Sequence, residues 1–204
     1  MSALRKKSLA LRYRSTGLDR GSVVIEVSLL IITFFGIVFG MLEFARAMYV
    51  INTLHAVTRS AAAAAATSAF DPDTLDRIRR QAMVVGADGN LILGKPVSPD
   101  HIRIDYLSLS RDVSSGAITP MLITTMPSCP ARNRLNCLAD PYGASCIRLV
   151  RVRICQSGEG ERCDRVPYDM LFPLVDLSSL KLPTAETIVT AHTMGYSIGS
   201  IPCP

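Results

Sequence analysis

No tryptophan occurs in the chain, and its three histidines, His55, His101 and His192, are isolated from one another. There is no GxSxG elbow, no Walker loop, no HExxH and no Gly-rich dinucleotide turn. Without such a constellation the chain reads as a non-enzyme that needs no cofactor. His192 falls in a β-branched stretch, where a structural role explains it. No CxxC pair is present, and the histidines show no ligand spacing with the cysteines, which argues against zinc. From residue 22 onward the 16 basic and 16 acidic side chains cancel. That balance leaves no patch to neutralise phosphates, so no nucleic-acid partner is expected. Proline is missing between residues 22 and 71, so nothing there interrupts a helix.

What is present begins with charge. Arg5, Lys6, Lys7, Arg12, Arg14 and Arg20 face Asp19 alone, so the whole net charge of +5 lies in the first 21 residues. The run from Ser22 to Leu42, 21 residues, is apolar or small except at Glu26. A bilayer core about 30 Å thick needs about 20 such residues as a helix. A basic arm beside an apolar span keeps that arm in the cytoplasm. The run is longer than the apolar core of a cleaved secretory signal, and no small-x-small site closes it. Glu26 is costly in lipid unless paired, which marks it as functional. Gly36 and Gly40 have the small-xxx-small spacing that lets membrane helices approach closely. Glycine is also simply common in membrane helices, and the residues do not choose between these readings. Glu43 and Arg46, three apart at the exit of the span, are expected to form a solvated helix pair worth a few tenths of a kcal/mol.

The helical pattern continues through the alanines Ala61 to Ala66, giving a helix from about Ser22 to Ser68. Asp71-Pro72 ends it and starts a second helix to about Val85, with Asp71 as cap and Pro72 in the first turn. Arg77, Arg79 and Arg80 give that helix a solvated basic side. His101 to Leu109, Cys146 to Cys155 and, more weakly, Met121 to Thr125 read as strands; the first two alternate with period two. Glu186 to Ser197 is β-branched and would be the last strand. Residues 127–143 and 156–167 read as loops. The six cysteines, Cys129, Cys137, Cys146, Cys155, Cys163 and Cys203, all lie beyond the span, which suits disulfides in an oxidising compartment. Local bridges Cys129 to Cys137 and Cys155 to Cys163 are plausible by spacing, but six cysteines allow 15 pairings. The fold class expected is α+β. It comprises a basic leader at 1–21, a long helix at 22–70 with its span at about 22–42, and an α+β domain at 71–204. That last domain would hold an antiparallel sheet and disulfide-stapled loops on the periplasmic side.

Gly21, just after the basic arm, and Glu26, at the fifth position of the helix, resemble the processing site of type IV prepilins. The match tightens further along the chain. Phe35-Gly36, Glu43-Phe44, Arg46, the Ala61 to Ala66 run, the Val-Arg-Val-Arg-Ile strand and Leu171-Phe172-Pro173-Leu174 are similar to the TadE-like pseudopilins. These belong to the tight-adherence (Flp, type IVb) pilus system. The resemblance implies cleavage by a prepilin peptidase between Gly21 and Ser22. It implies a new Ser22 amine for Glu26 to pair with, and a role in pilus assembly for adherence. The implied partners are the peptidase, other pilins and pseudopilins, the inner-membrane assembly platform and the lipid bilayer. The implied location is the bacterial inner membrane, single-pass, N-terminus in the cytoplasm. The competing reading is a permanently anchored periplasmic protein whose leader is never removed.

Overall fold

The computed structural model describes residues 20–157, 162–171, 180–196 and 203, and of residues 20–22 the backbone alone. Residues 1–19 of the leader and the Phe172-Pro173-Leu174 element lie outside the described residues. Helix α1 covers Arg20–Thr67, 48 residues, as the proline-free stretch predicts. The chain divides into two compact units, Met1–Met41 and Leu42–Pro204.

In the first unit the apolar side chains of α1 are exposed, Leu30 at 66% and Ile32 at 68%. Two hydroxyls interrupt the run, and each donates to its own helix. Ser28 Oγ reaches Val24 O at 2.7 Å and Thr33 Oγ1 reaches Leu29 O at 2.8 Å. These bonds leave neither hydroxyl in need of water, as a hydrocarbon environment demands.

The second unit is built around the rest of α1. Val50, Leu54, Val57, Ala61, Ala62, Ala65 and Ala66 are buried in its core. Alanine keeps side-chain bulk low on the buried face of the helix. Helix α2, Pro72–Ala82, starts as expected, with Asp71 accepting from Thr74 N at 2.9 Å. It ends earlier than predicted because Met83 leaves the helix with extended backbone and turns into the core. Arg79 does not simply face water. Its Nε donates to Ile102 O at 3.1 Å.

The sheet has four antiparallel strands in the order β2-β1-β3-β4. They are β1 Ile102–Arg111, β2 Ile118–Leu122, β3 Leu149–Ile154 and β4 Glu186–Thr190. Register places Ile102, Ile104 and Tyr106 opposite Ile154, Val152 and Val150, so the apolar alternation of the two strands makes one face. That face packs on α1, where Thr58 Oγ1 meets Thr187 Oγ1 at 2.9 Å. The weak candidate at residues 121–125 appears shifted, as β2. It is exposed throughout and carries Pro120, which an edge strand tolerates.

Three expectations are corrected. The last strand stops at Thr190, and His192 lies beyond it with its side chain exposed. The chain turns there to satisfy the end of α1. His192 N and Met194 N donate to Ala66 O at 3.1 and 3.2 Å, and Gly195 N to Thr67 O at 2.9 Å. Gly195 has φ +79°, and a Cβ there would stand 2.8 Å from Ala69 N, so the turn requires glycine. Residues 127–143 are not all loop, because Pro130–Ala139 forms helix α3 with Pro130 in its first turn. Buried Asn133 locks this helix down, its Oδ1 accepting from Ile147 N at 2.8 Å. Finally, Cys129 pairs with Cys203 and Cys137 with Cys146, while Cys155 does pair with Cys163. The helical path of residues 130–139 carries Cys137 away from Cys129 and towards the segment before β3.

The opposite face of the β1–β3 pair is charged. Arg103 stands directly across from Arg153, a destabilising arrangement by itself. Asp105 offsets it, accepting from Arg103 Nε at 3.1 Å, Arg151 Nη2 at 3.2 Å and Arg153 Nη2 at 2.6 Å. Burial opposes ionisation of this carboxyl, but Arg153 and Arg103 together outweigh it and hold its pKa below the ordinary range. A lowered carboxylate pKa adds stability above the unfolded value, about pH 4, that is lost as pH falls through the folded value. Asp105→Asn should therefore cost about 2 kcal/mol at neutral pH, discounting for the partly exposed arginines. It should also flatten the loss of melting temperature on acidification below about pH 4. Melts of both chains in detergent at neutral and acid pH test this, and parallel curves would refute it.

The bridge Cys129–Cys203 spans 74 residues, against 9 and 8 for the other two. Loop-closure entropy makes it worth about 4 kcal/mol and the short bridges about 3 kcal/mol each. Replacing Cys129 and Cys203 by serine should lower the denaturant midpoint more than replacing Cys155 and Cys163.

Candidate functional site

The residues singled out by sequence lie along one helix. Gly21 and Ser22 fall in the first turn of α1. Glu26 follows Ser22 by four positions, one turn along the same face. Its side chain is exposed. Gly36 and Gly40 lie farther along, and a Cβ added at either would meet nothing within 4 Å. Among the described residues this is one helix long and apolar enough to cross a membrane, and it fits a single-pass anchor. No group of three or more His, Cys, Asp or Glu could hold a metal among the described residues.

The arrangement with most internal structure is one that sequence reading misjudged. Glu43 and Arg46 are not a solvated pair; they are 9% and 7% exposed. Arg46 Nη1 meets Glu43 Oε1 at 2.8 Å. Tyr168 OH donates to the same oxygen at 2.7 Å and lies 3.2 Å from Arg46 Nη1. Burial and the bond to Glu43 push the Tyr168 pKa up to about 12, so the hydroxyl stays a donor. Arg46 also donates from Nε to Leu93 O at 2.7 Å and from Nη1 to Asp169 O at 2.7 Å. Leu171 N donates to Glu43 Oε2 at 3.3 Å. The helix pair thus holds two loops, one near residue 93 and one at 168–171. Both charges are desolvated, and each has partners beyond the other, which is the condition for a buried pair to persist.

The helix carrying these residues matches a known family. Its model, described as TadE-like protein, covers residues 21–63. Over those 43 residues the chain is similar to the TadE-like family. No curated protein and no solved structure matches the chain. The TadE-like match begins at Gly21 and takes in Glu26, Gly36, Gly40, Glu43 and Arg46. Residues 64–204 lie outside it, and with them every cysteine and Tyr168.

The sequence signal for the cluster was half visible. An acid and a base three apart at the end of an apolar run are conspicuous, but Tyr168 lies 125 residues from Glu43. Nothing local in the TadE-like segment announces a partner that distant. Glu43→Ala should cost about 3 kcal/mol by leaving the Arg46 charge buried and unpaired. Removing both charges, as Glu43→Ala with Arg46→Met, should cost less than the two single changes added together. Denaturation midpoints of the four chains in detergent give the coupling, and strict additivity would show that the pair does not act as a unit.

Proposed function

We propose that this chain is a minor pseudopilin of the tight-adherence pilus, cut after Gly21 and working in pilus assembly. The TadE-like domain supports a protein associated with that pilus system. The observation that carries the finer reading is the start of the match at Gly21, the boundary between the basic arm and the apolar helix. A prepilin peptidase at the membrane surface would take the arm from the cytoplasmic side. Glycine suits the cut because it adopts extended backbone in a protease cleft without steric penalty.

Cleavage creates a positive amine on Ser22. One turn away, or on a neighbouring subunit, Glu26 supplies the carboxylate that lowers the cost of holding both charges in an apolar setting. Gly36 and Gly40 provide a flat strip against which a neighbouring pilin helix packs. The partners in this reading are the peptidase, other pilins and pseudopilins and the inner-membrane platform. The arm is cytoplasmic, the cysteine-bearing unit is periplasmic, and the role is structural rather than catalytic.

Intact mass and N-terminal sequencing of the chain from its native membrane test the cut. A mature chain beginning at Ser22 is expected, and one beginning at Met1 or Ser2 would favour the permanently anchored form. Gly21→Val should leave the arm attached. Glu26→Ala should still be cut while pilus assembly falls, and normal pili in that variant would remove the amine-pairing role.

A further inference from the structure

Exposed apolar side chains gather at one level of the C-terminal unit. Ile92, Leu93 and Leu171 are 44%, 55% and 54% exposed. With Leu91 and Met170 they border a cleft of about 290 Å³. The two loops that carry them are fastened to α1 by opposite members of the ion pair. Arg46 holds the carbonyl of Leu93, and Glu43 holds the amide of Leu171.

That attachment sets their depth. Leu42 closes the apolar run, and Glu43 and Arg46 stand about 1.5 and 6 Å farther along the helix axis. Each headgroup layer of a bilayer is roughly 5 to 7 Å thick beyond the hydrocarbon. Loops tied to Glu43 and Arg46 therefore lie at headgroup depth when the apolar run spans the membrane. Contiguous apolar surface at that level is disfavoured in water.

We propose that Ile92, Leu93 and Leu171 insert into the interfacial layer of the bilayer that α1 crosses, so that the folded domain rests on the lipid surface. This rests on reading residues 22–42 as the span. The attraction is apolar rather than electrostatic. Lys95 Nζ is paired with Asp88 at 2.8 Å, and the cleft also carries exposed Asp169, so no net positive charge faces the headgroups. A zwitterionic lipid suffices, and salt does not release the contact.

The lack of tryptophan makes the test free of background. The full chain is reconstituted in phosphatidylcholine vesicles with one tryptophan, from Ile92→Trp, Leu171→Trp, Phe34→Trp within the span, or Val113→Trp. Val113 is wholly exposed, in the turn between β1 and β2. Lipid brominated near the headgroup end of its acyl chains should quench residues 92 and 171 strongly, at low and high salt alike. Lipid brominated deeper should quench residue 34, and neither should quench residue 113. If 92 and 171 behave like 113, the proposal is overturned. It is equally overturned if they are blue-shifted but unquenched, since another protein copy then covers them. Loss of quenching at residue 34 itself would instead remove the span, and the interfacial contact with it.

Discussion

A buried ion pair on one helix holds two distant loops of the C-terminal unit. Glu43 and Arg46 are three residues apart, and their geometry is supplied by α1 alone. What keeps them out of water is supplied from far away, by Tyr168, Asp169, Leu171 and Leu93. Backbone groups of two loops complete the hydrogen bonding of both charges. Each loop gains a fixed anchor, and the pair gains the desolvation that makes its attraction strong.

The same helix presents two kinds of surface. From Val23 to Leu42 its side chains are mostly apolar and exposed, and Ser28 and Thr33 bond to their own backbone. Beyond Glu43 the buried face narrows to valine, leucine and then alanine, within the same core as the sheet. A continuous helix is the physical link between these halves, because its backbone bonds are internal and unaffected by what surrounds it. The TadE-like match spans the change from one environment to the other.

Around the stem, small devices do the work that a larger core would do elsewhere. Three disulfides tie Cys203 to the start of α3, α3 to the segment before β3, and the two sides of the loop after β3 to each other. Asp105 binds three arginines across two strands and converts a repulsive register into an attractive one. The turn at residues 192–195 closes the end of α1 with backbone amides instead of a capping side chain. Each device fixes a loop or an edge at low cost in chain length, which suits a domain of modest size.

By itself the sequence determined what repeats or accumulates locally. The long helix followed from apolar residues with no proline, the α2 cap from Asp71-Pro72, and the paired strands from period-two alternation in IRIDYL and RLVRVRI. Gly21, Glu26, Gly36 and Gly40 stand out in the sequence by spacing alone, and their roles belong to the proposal. Tertiary structure decided what depends on distant chain segments meeting. Helix α3 has only Pro130 as a local sign, and its docking rests on Asn133 finding Ile147. The pairing of Cys129 with Cys203 depends on a path of 74 residues. The last strand ended early because the end of α1 needed donors that only the returning chain could bring. Burial of Glu43 and Arg46 likewise required Tyr168, because a charge leaves water only where partners from elsewhere in the fold replace it.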